Sequence, residues 1–189
     1  MSKNRDRIIE SARACFSRNE FEQVTIKEIC ERAGVANSTF YYHFKTKEEL
    51  MDYLRTHDAR PLQAELLGVL AAPDPLEQAI SACAMCATRA QRSGCTLAAQ
   101  YYKRKLNAER EDGDMQKTHE QEYKTACLLV ARAQEAGRIE NRRPADELTH
   151  AAIMLSSGTV VDWCASGGAY DLMQAVRGLL LVLFGIGQS

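Results

Sequence analysis

The chain has 189 residues, of which 46% are hydrophobic and 26% are charged, and its formal net charge is −1 at pH 7. This balance is ordinary for a soluble globular protein and gives no global sign of nucleic-acid binding, which must be argued from where the charges lie. The longest apolar stretch, residues 179–186, is shorter than the roughly 18 residues that a membrane span needs. The N-terminus also lacks the apolar segment of a signal peptide, so we expect a cytoplasmic protein that does not bind a membrane.

Helical periodicity runs through the N-terminal quarter of the chain, and no convincing strand-type alternation accompanies it. Thr25 is a good N-cap, and Glu28 completes a capping box at the start of a helix. Gly34 follows the last apolar residue of that helix, where a glycine commonly ends a helix in the left-handed conformation. This region predicts helices over residues 5–18, 25–33, 37–44 and 46–57.

Longer helices are predicted beyond Pro61 and the Pro73-Asp74-Pro75 stretch. Glycines separate them, at points where ending a helix costs least. The predicted spans are residues 75–93, 96–111, 115–136, 145–166 and 171–186. We thus expect an all-α fold of about nine helices, with short helices first and long ones after.

Residues 25–47 read TIKEICERAGVANSTFYYHFKTK and predict a helix, a glycine-centred tight turn and a second short helix, which is the helix-turn-helix arrangement. Phe40 and Phe44 share one face of the second helix, so both can pack back against the first two helices. The other side chains of this helix are polar groups suited to base edges and phosphates in a DNA major groove. They are Asn37, Ser38, Thr39, Tyr41, Tyr42 and His43. Thr25 and Lys47 lie at helix N-termini, where backbone N–H groups favour a phosphate.

This segment resembles the tetracycline-repressor (TetR) family of bacterial regulators. The resemblance depends on Phe16, Phe21, the run TIKEI from Thr25, the Ala33-Gly34-Val35 turn and above all the block TFYYHFKTKEEL from Thr39 to Leu50. The resemblance covers the first quarter of the chain, and the remaining residues match the family only in general character. It implies a three-helix DNA-binding domain, residues 1–50, followed by a larger helical domain, residues 51–189, that senses a ligand and dimerises.

The resemblance also implies roles for the polar side chains of the motif. Positions that read or adjoin base edges in the family are occupied here by Asn37, Ser38, Thr39 and Tyr41. Positions that hold phosphates are occupied by Thr25, Tyr42, His43 and Lys47. One departure is Ala36, where a capping serine is frequent; if Asn37 supplies the cap instead, it is not a base reader. The alternative for the tyrosines is a partly buried packing role, and for His43 a solvated one.

The function implied by the resemblance is that of a homodimeric transcription regulator on a palindromic double-stranded operator. A small-molecule effector in the C-terminal domain would change the separation of the two DNA-binding domains through the helix near residues 47–57. Repression that the effector releases is the usual outcome in the family, and activation is the alternative. Because such coupling is reciprocal, DNA would weaken effector binding by the same factor.

Aromatic and methionine side chains on the predicted sensor helices are candidates for the effector cavity, which is expected to be mainly apolar with a few polar groups. Such residues more often belong to a core than to a ligand site, and we expect only some to line the cavity. The candidates are Met85, Tyr101, Tyr102, Tyr123 and Trp163.

The last two predicted helices, residues 145–166 and 171–186, are candidates for the dimer interface. The second of them is apolar nearly all round, so it must be buried on more than one side. The candidate interface residues are Leu155, Leu172, Val176, Leu179, Leu180 and Leu183. The alternative is a helix buried inside a monomer.

The chain has seven cysteines, and this odd number without an export signal argues against a disulfide framework. Cys83 and Cys86 form a C-x-x-C pair on one helix face, which leaves a thiol- or metal-responsive regulator as the alternative function. Their small and apolar neighbours favour a core helix instead. No nucleophile–base pair, phosphate-binding glycine loop or metal motif is evident, so we expect a protein that is not an enzyme and needs no metal or other cofactor.

Overall fold

The computed structural model describes residues 3–19, 21–58, 62–107 and 113–187. All the regular structure in this part of the chain is α-helical, as eleven helices, so the all-α prediction is confirmed. The first four are α1 (Lys3–Phe16), α2 (Ile26–Ala33), α3 (Asn37–His43) and α4 (Lys47–Asp58). Each lies within about two residues of its predicted span, which is the usual uncertainty of helix ends.

The remaining helices are α5 (Leu62–Ala71), α6 (Pro75–Cys83), α7 (Met85–Ser93), α8 (Cys95–Asn107), α9 (Gly113–Glu135), α10 (Ala145–Ala165) and α11 (Leu172–Leu183). The predicted number of about nine was wrong for two reasons. Helix α5 was not predicted, because the flanking prolines made its segment resemble a connection. The predicted span 75–93 is two helices that meet at Ala84 (φ −92°, ψ 6°), where neither glycine nor proline marks the break.

The turn between α2 and α3 follows from local chemistry. Thr25 caps α2, since its hydroxyl accepts a hydrogen bond from the Glu28 N–H at 3.1 Å. Gly34 ends α2 in the left-handed region (φ 61°, ψ 43°), and the Val35 N–H returns to the Cys30 carbonyl at 3.0 Å, which is the Schellman arrangement. A Cβ at position 34 would lie 2.6 Å from the guanidinium of Arg7, the end of a flexible side chain that can move aside, so glycine is required there for its conformation.

Two hydrophobic cores organise the described residues. The first joins α1 to α4 around Phe16, Ile29, Phe40 and Phe44, and it also takes in Leu97 from α8. This core reaches Leu54, past the predicted domain boundary at residue 50. The division of the chain into residues 1–50 and 51–189 stays a prediction.

The second core lies among α6, α7, α9, α10 and α11. Val130, Ala152, Val176 and Phe184 are fully buried in it, and Trp163 closes one end. The indole N–H of Trp163 donates to the Tyr170 carbonyl at 3.0 Å, which satisfies its one polar group. Among the described helices, none is long and apolar enough to cross a membrane.

Candidate nucleic-acid interface and sensor domain

Helix α3 is held from behind by its two phenylalanines. The side chains of Phe40 and Phe44 are buried in the first core, with ring centroids 6.0 Å apart. Phe44 also meets the ring of Tyr53 from α4 edge-on, with centroids 5.4 Å apart. Burial of two aromatic rings on one side fixes the rotation of this short helix, and its other side is left to solvent.

The outward side of α3 carries the predicted DNA-binding side chains. Tyr41 is 55% exposed and Tyr42 is 85% exposed, which is unusual for large aromatic side chains. Asn37 and Ser38 are exposed, whereas Thr39 and His43 are half-buried. The imidazole of His43 lies edge-on to the ring of Tyr42, with centroids 4.9 Å apart. The packing alternative for the tyrosines therefore does not describe Tyr42, and it describes Tyr41 only in part.

The N-terminus of α3 has no side-chain cap. The cap position is Ala36, and no side chain hydrogen-bonds to the first turn there. Its carbonyl accepts from the Thr39 N–H at 2.9 Å, a tightened first turn. Asn37 does not act as the cap, so its exposed amide remains available for a base edge.

Lys47 has a contact that the sequence analysis did not anticipate. Its ammonium group donates to the carbonyl oxygens of Phe21 at 2.5 Å and of Val24 at 2.7 Å. It also lies 4.3 Å from the centroid of the Phe21 ring, in a cation–π contact. Lys47 thus joins the start of α4 to the loop before Thr25, and its third N–H is the one left for a phosphate.

Arg5 is a second basic residue whose position sequence reasoning missed. Its guanidinium donates to the Tyr53 hydroxyl at 3.1 Å and lies 4.2 Å from the centroid of that ring. It is also 5.4 Å from the centroid of Phe44. Arg5 therefore ties α1 to α4 and to the back of α3. An arginine in the first turn of α1 gives no sequence signal for this, because its partners are about 40 to 50 residues away.

The predicted effector-binding residues do not all meet in one place. Trp163 belongs to the second core and Tyr102 packs against it, whereas Met85, Tyr101 and Tyr123 lie outside that cluster. Burial, as the largest effect, raises the pKa of Tyr102 well above its usual range. The Tyr123 hydroxyl donates to the Asp146 carbonyl at 3.1 Å.

A small polar group lies beside Tyr102, in the part of the chain that is predicted to sense the effector. The Ser157 hydroxyl is hydrogen-bonded to Tyr102 and contacts the sulfur of Cys86 at 3.7 Å. Nearby on α7, Arg89 makes a two-pronged ion pair with Glu122 of α9, with N–O distances of 2.6 and 3.2 Å. The sequence did not indicate either Ser157 or Glu122 as part of an effector site, because a single serine or glutamate in a long helix carries no signal of burial.

Five of the six predicted dimer-interface residues lie on two faces of α11, and Leu155 lies on α10. Leu172, Val176 and Leu180 are buried inside the protomer, which favours the alternative of burial within a monomer for these three, and their assignment to the interface stays a prediction. They repeat every four residues and form the face that packs on α10. Leu179, by contrast, is 44% exposed, while Leu155 and Leu183 are half-buried.

The outward face of α10 and α11 exposes several large apolar side chains. Val182 is 75% exposed, and Met154 and Val161 on α10 are also exposed. A groove of about 720 Å³ runs between the two helices, with Gly158 on one side and Gly178 on the other. Small residues at such a groove let another helix approach closely.

The C-x-x-C pair does not have the surroundings of a sensor. Burial raises the pKa of Cys83 to about 12 and, as the largest effect, also raises that of Cys86. Buried thiols that stay protonated are unreactive. Within the described ranges, no group of three or more His, Cys, Asp or Glu residues could hold a metal ion. The structure therefore does not support a thiol- or metal-responsive site at Cys83 and Cys86.

Comparison with known proteins is most informative for the N-terminal region. Residues 8–54 match the family model of bacterial regulatory proteins, tetR family. The HTH-type transcriptional regulator UidR of Escherichia coli (strain K12) is 37% identical over 54 residues, which are 29% of this chain and 28% of UidR. The chain spans less than a third of the length of the curated relatives that it matches.

Similarity to solved structures extends over nearly the whole chain. A putative transcriptional regulator from Saccharomonospora viridis, in complex with choline, has a TM-score of 0.76 at 19% identity and covers 98% of this chain and 97% of its own. The regulator FadR from Bacillus subtilis, in complex with stearoyl-CoA, has a TM-score of 0.63 at 17% identity, with coverages of 96% and 98%. At these identities the likeness establishes the fold, an N-terminal helix-turn-helix followed by a larger helical domain.

Proposed function

We propose that the chain is a member of the tetR family of bacterial regulatory proteins, whose model residues 8–54 match, and that it regulates transcription by binding operator DNA, as a cytoplasmic repressor that a small-molecule effector releases. The observation that carries this proposal is the two-sided character of α3. Phe40 and Phe44 anchor it in the core, while Tyr41 and Tyr42 extend into solvent beside polar neighbours. A helix with this division can enter a major groove without loss of its packing.

In the proposed complex, Asn37, Ser38, Thr39 and Tyr41 approach base edges, and Thr25, Tyr42, His43 and Lys47 approach phosphates. The exposure of Asn37, Ser38 and both tyrosines supports this assignment. The Thr25 hydroxyl accepts a hydrogen bond from the Glu28 N–H, and its own O–H can still donate to a phosphate oxygen. Lys47 contributes a single remaining N–H, so most of its role is to hold the loop that presents Thr25.

The proposed active species is a homodimer that places two α3 helices in successive major grooves of a palindromic site. Its support is the apolar outer face of α10 and α11, where Val161, Leu179 and Val182 lie in contact with water in the isolated chain. Exposed large apolar side chains grouped in this way mark an interaction site. A two-fold axis through it would pair the groove of one protomer with α10 and α11 of the other.

Coupling between effector and DNA is supported by contacts of α8 with the DNA-binding domain. Leu97 is buried in the first core, and the Gln100 amide donates to the Asn19 carbonyl at 2.9 Å. Lys103 forms an exposed ion pair with Glu22 at 3.2 Å. Gln100 and Lys103 thus contact Asn19 and Glu22, close in the chain to the Phe21 and Val24 carbonyls that Lys47 contacts. We therefore propose α8 as a path of coupling, in addition to the helix near residues 47–57.

The effector itself is proposed to occupy the sensor domain close to Tyr102, Ser157 and Trp163. A polar pair in an apolar surrounding gives orientation to a mainly apolar ligand. Choline and stearoyl-CoA, bound in the two structural neighbours, support a small-molecule ligand for this fold. Because those two molecules differ greatly, they do not define its chemistry here.

The experiment that tests the function measures binding of the purified protein to a duplex from its own promoter region and to a scrambled duplex, by fluorescence anisotropy. We expect tighter binding to the promoter duplex, and an affinity that falls linearly in log K against log salt. Thr39→Ala should change the preferred operator sequence. The control Lys124→Ala, which removes a positive charge from an exposed pair on α9, should leave affinity unchanged. Absence of salt-sensitive binding to the promoter duplex would contradict the proposal.

A further inference from the structure

Two cysteines outside the C-x-x-C pair lie against each other in the sensor domain. Cys95 is the first residue of α8 and Cys164 is in the last turn of α10. The Cys95 sulfur lies 3.7 Å from the Cys164 carbonyl oxygen, and the Cys164 sulfur lies 3.8 Å from the Cys95 carbonyl oxygen. Each side chain thus reaches the main chain of the other residue, and the two thiols lie side by side between the helices.

Both thiols are half-buried, in contrast to the buried Cys15, Cys30 and Cys83. Burial, and next the neighbouring Cys95, raises the pKa of Cys164 to about 11. The N-terminus of α8, where Cys95 lies, favours a negatively charged group. Cys164 is therefore a protonated partner held in contact with Cys95, which is left as the attacking residue.

The backbone on both sides of the pair can adjust to a shorter sulfur–sulfur distance. Gly94 precedes Cys95 with φ 83°, and Gly167 and Gly168 follow Cys164 with φ 69° and 80°. A disulfide needs a bond of about 2.05 Å and a Cβ–Cβ separation of roughly 3.5–4.5 Å. Glycines next to Cys95 and shortly after Cys164 let the start of α8 and the end of α10 approach each other.

We infer that Cys95 and Cys164 are an oxidation site, which a hydroperoxide converts into an intramolecular disulfide between α8 and α10. In the first step the Cys95 thiolate attacks the peroxide, forms a sulfenic acid and releases hydroxide or water. In the second step the Cys164 sulfur displaces the sulfenic oxygen, its proton leaves with that oxygen as water, and the sulfur–sulfur bond forms. Two thiols and one hydrogen peroxide thus give one disulfide and two waters.

The consequence for DNA binding rests on the proposed function. Cys95 lies two residues before Leu97, which is buried in the core of the DNA-binding domain, and one turn before Gln100, which holds the Asn19 carbonyl. Drawing the start of α8 toward α10 moves these contacts, which join α8 to the DNA-binding domain together with the exposed ion pair of Lys103 and Glu22. Oxidation should therefore lower operator affinity, in the same direction as the effector.

The test of the site uses the full chain without DNA. The protein is treated with hydrogen peroxide, its remaining thiols are blocked, and it is digested under non-reducing conditions for mass spectrometry. We expect a peptide pair joined through Cys95 and Cys164, lighter by two hydrogens than the separate peptides and released by a reductant. Cys164→Ser should abolish it, and the control Cys127→Ser, at another half-buried thiol, should retain it. Absence of the joined peptides in the wild type and in Cys127→Ser would overturn the inference.

Operator affinity is then measured for the reduced and oxidised forms of the same samples. Oxidation should weaken binding by roughly 5- to 50-fold in the wild type, within the usual range of coupling between sites, and should leave Cys164→Ser unchanged. A disulfide that forms without a change in affinity would overturn the coupling through α8. Failure of the reduced protein to bind its promoter would contradict the proposed function alone, because the peptide analysis decides the disulfide independently.

Discussion

The ammonium group of Lys47 donates to the main-chain carbonyl of Phe21 at 2.5 Å and lies 4.3 Å from the centroid of the ring of the same residue. Its second hydrogen bond goes to the Val24 carbonyl. One side chain at the start of α4 therefore fixes both the course and the packing of the loop that leads into α2. Lys47 lies at a position that the family resemblance associates with phosphate binding, and it also has a structural role in the protein without DNA.

Lys47→Met should accordingly reduce stability as well as DNA binding. Two half-buried hydrogen bonds from a charged donor are lost, which should lower the free energy of unfolding by about 2 kcal/mol in urea denaturation. Affinity should fall on every DNA sequence, because the loop before Thr25 loses its anchor. The control Lys45→Met removes an exposed charge next to α4 and should change stability by less than about 0.5 kcal/mol. Equal stability of both variants would assign Lys47 to phosphate contact alone.

Substitutions on the buried side of α3 should lower stability, whereas substitutions on its exposed side should lower DNA affinity. Phe40→Ala empties a fully buried position and should cost about 3–5 kcal/mol of stability. Tyr42→Ala removes a ring that is 85% exposed and should leave the unfolding midpoint within the range of surface substitutions, about 0.5 kcal/mol. It should nevertheless weaken operator binding roughly tenfold, as loss of one good contact does. Thermal unfolding and anisotropy titration of both variants check this, and normal operator binding by Tyr42→Ala would contradict the placement of α3.

The outer face of α11 should control the oligomeric state. Val182→Arg places a charge where the proposed partner packs, and it should convert dimers to monomers in sedimentation velocity experiments. The matched control is Leu128→Arg on α9, a leucine that is 71% exposed and lies away from that face. The control should stay dimeric. A dimer unchanged by Val182→Arg would place the interface elsewhere.

Two ion pairs near the start of α6 should make the stability of the larger helical domain fall at acid pH. The Arg138 guanidinium, 2.7 Å from Asp74, lowers the pKa of that carboxyl, and Arg177, at 2.6 Å, lowers the pKa of Glu77. A carboxyl whose pKa is depressed by folding stabilises the fold above its unfolded pKa, and this stability is lost as the pH falls through the folded pKa.

Urea unfolding from pH 5 down to about pH 3 should therefore show a stability loss that is smaller in the double variant Arg138→Met, Arg177→Met. Because these pairs are partly exposed, the difference should shrink at high salt. The control Arg143→Met breaks an exposed pair with Glu147. It should follow the wild-type curve, and the same acid dependence in the double variant would contradict the expectation.

The sequence by itself determined the features that depend on interactions between residues close together in the chain. The Thr25 cap, the Gly34 turn and the spacing of Phe40 and Phe44 specify a helix-turn-helix within 20 residues of chain, since each signal acts over one or two turns. The polar side chains of α3 follow from the same spacing. The long helices are also evident, because a repeated apolar stripe is a local property.

The tertiary structure decided what depends on contacts between distant residues. The residues that α11 buries, Val176 and Leu180 among them, cannot be told from Leu179 and Val182 in a helix that is apolar all round, because only the position of α10 distinguishes its faces. The bond from Lys47 to the Phe21 carbonyl, the bond from Gln100 to the Asn19 carbonyl, and the meeting of Cys95 with Cys164 each join residues remote in the chain. Such contacts arise when helices pack, and no periodicity within one helix records where its neighbour will lie.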